Sequence, residues 1–135
     1  MKSIYCAALL TLKDRKLLLA YSRNKKCFYL PGGKVDAGET AKQALCREIK
    51  EELTVPLHEN ELEYYTHITA PAYGEGNGEI MEQDCFILNN AIEPVASAEI
   101  GELRYFTLKE YLGEPHTAPG AVRILEILKE DNLID

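Results

Sequence analysis

Three glutamates, Glu48, Glu51 and Glu52, stand together inside GGKVDAGETAKQALCREIKEELTV, the stretch from Gly32 to Val55. At about 100° per residue a helix would carry them on one stripe, beside an apolar side made by Leu45, Ile49 and Leu53. Like charges three and four apart on a helix repel by roughly 0.2–0.5 kcal/mol per pair. They also lie toward the helix C-terminus, where the dipole favours cations. A divalent cation reverses that account, because carboxylate oxygens suit Mg²⁺ or Mn²⁺. The glycines just before the helix let backbone approach a ligand, and a carbonyl there could add an oxygen. Taken alone, the stripe reads equally well as a solvated acidic face balanced by Lys42, Arg47 and Lys50.

The acidic stripe needs a helix, and local signals supply one. Thr40 and Gln43 make a capping box, so a helix is expected from Ala41 to Leu53, with Pro56 helping to end it. Residues 3–12 are apolar on both alternating faces, as in a central strand. Residues 16–23 read as a second strand antiparallel to it, and residues 27–30 as a short strand stopped by Pro31. The glycines after Pro31 read as a loop. Residues 62–70 alternate and are rich in Tyr, Thr and Ile, which predicts another strand. Tyr73 to Gly78 holds three glycines and reads as a loop. Residues 79–88 read as a strand, with a partner expected at 102–106. Thr107 and Glu110 form a second capping box, for one or two turns. Pro119 opens a final helix reaching about Glu130, with Val122, Leu125, Ile127 and Leu128 on its apolar side. The order implies an α/β domain, with helices packed on a mixed sheet.

At 135 residues the chain is expected to be one domain, 1–135, large enough for a core without disulfides. The net charge of −7 argues against a partner that is a nucleic-acid polymer, which calls for a basic patch. It leaves a nucleotide substrate open, since a metal can carry the phosphate charge. Cys6, Cys27, Cys46 and Cys85 form no C-x-x-C pair, so structural zinc is not expected and buried reduced thiols are. The apolar run near the N-terminus is too short to span a membrane, and a cytoplasmic protein is expected. His58, His67 and His116 lack metal-ligand spacing.

From Gly33 the chain reads G-x5-E-x7-R-E-I-x-E-E-x-T-V, which resembles the Nudix box, G-x5-E-x7-R-E-U-x-E-E-x-G-U with U apolar. Gly33, Glu39, Arg47, Glu48, Glu51 and Glu52 match, with Ile49 and Val55 at apolar positions. Six identities at roughly one in fifteen each would coincide on the order of once in 10⁷ starts. Thr54 stands where the box has glycine. That place calls for positive φ, at a cost of about 1 kcal/mol for a β-branched residue.

The resemblance implies a Nudix-type α/β/α sandwich and Mg²⁺-dependent hydrolysis of a nucleoside diphosphate linked to another moiety, with Mn²⁺ as a substitute. Size is most like the MutT group, which acts on damaged or surplus nucleoside triphosphates. ADP-ribose, nucleotide sugars and dinucleoside polyphosphates are the alternatives within the family, and a non-catalytic nucleotide-binding module lies outside the enzyme class. By resemblance Glu51 and Glu52 bind metal, joined by Glu48 and the carbonyl of Gly32. Glu48 is also a candidate to orient water. Arg47 would hold the carboxylates, and Glu39 would brace loop and helix. The family's further acid outside the box would be Glu99, with Glu82 second. Substrate contacts are expected from Gly32, Gly33, Lys34, Phe28 and Tyr73. The family often forms homodimers.

Overall fold

The computed structural model describes residues 3–72 and 78–135. Its elements run β1 (Ser3–Leu10), β2 (Leu12–Lys13), β3 (Lys16–Ser22), β4 (Cys27–Tyr29), β5 (Gly32–Lys34), α1 (Ala41–Leu53), a 3-10 turn (Glu59–Glu61), β6 (Leu62–Pro71), β7 (Ile80–Leu88), β8 (Ile100–Phe106), α2 (Leu108–Leu112) and α3 (Pro119–Glu130).

Five consecutive buried residues, Cys6 to Leu10, mark β1 as covered on both faces. It is accordingly central. It pairs antiparallel with β5 on one side and parallel with β7 on the other, and β6 lies antiparallel beyond β7. These four strands are a mixed sheet in the order β5-β1-β7-β6. A second, antiparallel sheet is built on β3, with β2 and β4 along one edge and β8 along the other.

Ala7 and Leu9 point to one face of β1, where Leu45, Ile49 and Leu53 of α1 join Leu62, Phe86 and Leu88 in a core. Ala8 and Leu10 point to the other, where Ile124, Leu125 and Leu128 of α3 join Leu17, Leu19, Phe106 and Tyr111. The mixed sheet therefore lies between α1 on one face and α3 on the other, with the second sheet contributing to both cores through Leu18 and through Leu17 and Leu19, an α/β sandwich as expected.

Both capping boxes form, at Thr40 with Gln43 and at Thr107 with Glu110, and Pro119 opens α3. Three expectations about strands are corrected. The run 3–12 breaks at Thr11, whose carbonyl accepts from the Leu18 N–H at 2.9 Å. The chain changes sheet there, so only β2 makes the antiparallel hairpin with β3, through a turn with positive φ at Asp14 and Arg15. The glycines after Pro31 are not a loop but the edge strand β5. Finally, β8 is not the partner of residues 79–88: β1 and β6 flank that strand, and β8 completes the second sheet.

Helix α1 ends at Thr54 with φ 61° and ψ 29°, the left-handed conformation a glycine would take more easily. The turn is kept despite the β-branch. The Thr54 hydroxyl donates to the Val95 carbonyl at 3.1 Å. The N–H groups of Val95 and Ser97 donate to the carbonyls of Leu53 and Glu52, so the segment 95–97 satisfies the open end of the helix. Among the described residues no helix is long and apolar enough to cross a membrane.

Candidate active site

Burial of Leu45, Ile49 and Leu53 fixes the roll of α1, and that roll decides where the acids go. Glu52, on the edge of the apolar side, becomes buried. Gly32 faces it from β5. In the β1–β5 ladder, Leu9 N–H meets the Pro31 carbonyl and Val35 N–H meets the Tyr5 carbonyl. Gly32 lies opposite Ala8 at the intervening non-hydrogen-bonded position, so its own polar groups are left out of the ladder. Its N–H donates to Glu52 Oε1 at 3.0 Å. Burial pushes the Glu52 carboxyl up to about 8. The Gly32 N–H opposes that shift, and the charges of Glu48, Glu99 and Glu51 add to it.

Both glycines are required by close packing. A Cβ on Gly32 would lie 2.1 Å from the Ala7 carbonyl oxygen, and the residue has φ +139°. A Cβ on Gly33 would lie 2.4 Å from Glu48 Oε2. The Glu48 carboxylate thus rests on bare backbone. Burial raises its pKa, against the pull of Arg47.

Arg47 organises the corner. Its guanidinium holds Glu39 through two parallel bonds, Nε to Oε2 at 2.8 Å and Nη2 to Oε1 at 2.9 Å. Nη1 reaches Glu48 Oε1 at 2.7 Å, and Nη2 also donates to the Lys34 carbonyl at 3.2 Å. The hydrogen bonds from Arg47, helped by the Asp36 N–H, hold the Glu39 carboxyl down at about 2. Glu39 thereby ties the loop before the helix to the helix itself.

Glu99 arrives from the far side. Ala98 turns the chain with φ 55°, and the Arg23 N–H donates to the Glu99 carbonyl at 3.0 Å. One Glu99 oxygen accepts from Ser22 Oγ at 3.1 Å and Asn24 Nδ2 at 3.0 Å. The β3–β8 ladder shifts register at Tyr21/Ser22, beside this point, as bulges near sites often do.

Glu48, Glu52 and Glu99 share the wall of a cavity of about 590 Å³ with Gly32, Gly33 and Lys34. Glu51 does not reach it. Its side chain is 58% exposed and its nearest cation, Arg47 Nη1, is 4.0 Å away. Among the described residues no three acidic, histidine or cysteine side chains gather closely enough to hold a metal ion. The expected cradle is therefore not closed: Glu52 is turned to Gly32, Glu48 to Arg47 and Glu51 to solvent. The donor chemistry still fits a hard divalent cation. The donors are carboxylate oxygens on adjacent helical turns with the Gly32 carbonyl nearby, and burial raises the pKa values of Glu48 and Glu52, a cost that a bound cation would offset.

Two other expectations fail on placement. Phe28 is only 3% exposed, its ring packed edge-on against Tyr21 and Phe106 with the Arg104 guanidinium 4.9 Å from its centre. It is core rather than a substrate platform, and the neighbouring Tyr29 is the ring on the cavity wall. Glu82 lies off the cavity, accepting from Thr69 Oγ1 and bonded to His67 Nε2, both at 2.7 Å. The other His67 nitrogen lies 2.7 Å from Asp84. Tyr73 is outside the described residues. Asn24, Lys25, Tyr29 and Gln83 line the cavity without having been singled out. Only Gln83, a polar residue alternating with Met81, Cys85 and Ile87 along its strand, left a trace in the sequence.

Comparison with known proteins agrees with the fold. A family model described as NUDIX domain matches residues 2–127. A stretch of 43 residues is 56% identical to an ADP-ribose pyrophosphatase of Methanocaldococcus jannaschii, covering 30% of this chain and 25% of that protein. The chain thus spans about a quarter of that relative. The solution structure of the E. coli ORF135 protein is 26% identical, with a TM-score of 0.74 over 100% of this chain and 96% of the other. A MutT NUDIX hydrolase from Burkholderia pseudomallei is 25% identical, with a TM-score of 0.72 over 93% of this chain and 96% of the other.

Proposed function

This chain belongs to the Nudix family, and from that premise we propose that it hydrolyses a nucleoside diphosphate linked to another moiety, with a nucleoside triphosphate giving monophosphate and pyrophosphate as the leading case. Residues 1–135 act as one catalytic domain in a cytoplasmic setting, in keeping with three buried thiols. One observation carries the reading. Glu52 is buried at the wall of a cavity, with Glu48 and Glu99 close enough to raise its pKa further. A buried acid in such company is costly unless a cation or a proton-transfer step uses it.

Glu48 and Glu52, with the Gly32 carbonyl, are the groups to hold Mg²⁺, or Mn²⁺ in its place, and Glu51 would join them on turning its exposed side chain toward the cavity. When bound, the cation supplies neutralisation of diphosphate oxygens and acidification of water. The protein's own groups do the rest. Glu48 or Glu52 accepts the proton of the attacking water. Glu99, fixed by Ser22 and Asn24, is the further acid at the opposite wall. Arg47 is a positioning residue that sets the direction of Glu48. Lys34 lines the cavity and can meet a phosphate oxygen. Gly32 and Gly33 keep side chains out of the space where phosphate and carboxylates meet.

ADP-ribose is the second reading, favoured by the name of the Methanocaldococcus relative. A screen of the purified protein with Mg²⁺ separates the two. Normal and oxidised nucleoside triphosphates, ADP-ribose, nucleotide sugars and dinucleoside polyphosphates are offered, and formation of nucleoside monophosphate is measured. Turnover is expected on at least one of these. Silence on all of them, with Mg²⁺ and with Mn²⁺, overturns the hydrolase.

A further inference from the structure

Gln83 in β7 is 6% exposed, and its Oε1 has no hydrogen-bond partner among the described residues. An amide oxygen buried without a partner carries its full desolvation cost. Such groups in native structures call for an explanation, and a functional role is one. Gln83 lines the same cavity as the acids, on a wall it shares with Ile4, Cys6 and Met81.

Helix α3 begins against this wall. Ala118 offers no side-chain cap and Pro119 has no N–H. The first turn of a helix leaves its N–H groups without helical partners. Gly120 and Ala121 belong to that turn, and both line the cavity. A Cβ on Gly120 would lie 2.8 Å from Met81 Cε, 3.5 Å from Ile68 Cδ1 and 3.8 Å from Gln83 Oε1, so the glycine lets the start of α3 pack close against this wall. An acceptor on β7 thus stands beside donors on α3.

Register sets the distance to the acids. Lys34, Cys6 and Gln83 are successive cross-strand neighbours on β5, β1 and β7. Two strand spacings of about 4.8 Å put Gln83 about 10 Å from β5. That is a separation a pentose can bridge. Phosphate belongs at the β5 end, with Lys34 and Arg47. An unpaired amide oxygen at the other end repels it.

We infer that Gln83 and the open first turn of α3 read the ring of the substrate. The ring is a nucleobase-like heterocycle that presents an N–H or amino donor to Gln83 Oε1, next to an acceptor for the Gly120 and Ala121 N–H groups. This rests on the nucleotide reading above and deepens it by assigning the specificity-determining residue. Cys6, Ile4 and Met81 give the ring apolar contact, and the amide gives it orientation.

Binding without turnover tests this separately from catalysis. Nucleoside 5′-monophosphates of the four common bases, and ribose 5-phosphate, are titrated into metal-free protein by calorimetry or NMR. The wild type is expected to bind at least one of the four about tenfold more tightly than ribose 5-phosphate and than the least favoured base. Gln83→Met, which preserves volume, is expected to narrow that preference to within about threefold with melting temperature retained. Gln83→Glu, which removes the amide donor and adds a charge, changes the order of preference and serves alone if the Met variant fails to fold. In turnover, KM rises for the preferred substrate while kcat is held. A wild type without ring preference overturns the inference, and so does a preference unchanged in the variants. A Gln83-dependent preference in a protein without hydrolysis would remove the proposed reaction and keep the ring pocket.

Discussion

The N–H of Gly32 donates to Glu52 Oε1 at 3.0 Å, across 20 residues of chain. This bond joins the edge strand to the acidic helix. It is also the polar contact that lets Glu52 stay buried, and it favours the charged form against the stronger effect of desolvation.

Glu52→Gln keeps the hydrogen-bond acceptor and loses the charge. Pyrophosphate release with Mg²⁺ is expected to fall by about 10² or more. Stability moves the other way. The folded pKa of about 8 exceeds the ordinary 4.5, so between those pH values the folded state holds a proton that the unfolded chain has lost. Stability of the metal-free wild type therefore declines as pH rises from about 4.5 to about 8, by a few kcal/mol at most. The variant lacks that slope. Thermal melts at pH 6 and pH 8.5 in the presence of a chelator compare the two. Equal slopes would mean that Glu52 is not the buried acid described.

Gly32 and Gly33 are adjacent but fail differently when filled. Gly32→Ala drives a methyl into the Ala7 carbonyl at a φ that an L-residue rarely adopts. Several kcal/mol of stability should be lost, with an unfolding midpoint to match. Gly33→Ala meets only the movable end of Glu48. It is expected to fold and to lose activity, because the carboxylate is displaced. An active Gly33→Ala protein would take Glu48 out of the reaction.

Arg47→Lys keeps a positive charge but cannot reproduce the two-bond grip on Glu39 while reaching Glu48 and the Lys34 carbonyl. A loss of about 1–2 kcal/mol is expected from the hydrogen bonds alone. The rate should drop tenfold or more, as about 1.4 kcal/mol of positioning is lost. Denaturant unfolding and steady-state kinetics measure both, and a variant with a native rate would refute the positioning role.

Thr54→Gly restores the residue the box pattern has. It relieves about 1 kcal/mol of left-handed strain. It also forfeits the bond to the Val95 carbonyl and adds backbone freedom to the unfolded chain. These effects oppose, and the net change in unfolding free energy is expected within about 1 kcal/mol, with activity unaltered. A loss of activity would make Thr54 more than a helix terminator.

What could be read along the chain was local. Both capping boxes, the helix from Ala41 to Leu53 and the Pro119 start depend on residues a few positions apart, and they formed as expected. The pairing of strands did not follow, because it depends on burial between distant segments. β7 has apolar residues on both faces, and such a strand does not say which neighbours it takes. Parity failed in the short β4, where Phe28 turned inward and Tyr29 faced the cavity. Neither residue has a long enough alternating run around it to declare its face. The acids of the corner were named from the motif, whereas their directions were not. Those follow from Arg47 and the Gly32 N–H, through bonds that no spacing encodes. Asn24 and Lys25 sat in an ordinary polar turn with nothing to distinguish them.

Glu52 is anchored twice, by its side chain to Gly32 and by its carbonyl to the Ser97 N–H, two residues before Glu99. Both donors are backbone groups. Side-chain replacement at Ser97 leaves that grip in place, whereas one residue inserted between Ser97 and Glu99 would slip Glu99 out of phase. The acidic corner is therefore indifferent to much of its surrounding composition and intolerant of changes in chain length. At the opposite end, Met81 and Gln83 project from a strand whose ladder does not depend on their identity. Substrate preference can thus drift by point substitution while the reacting corner is inherited unchanged.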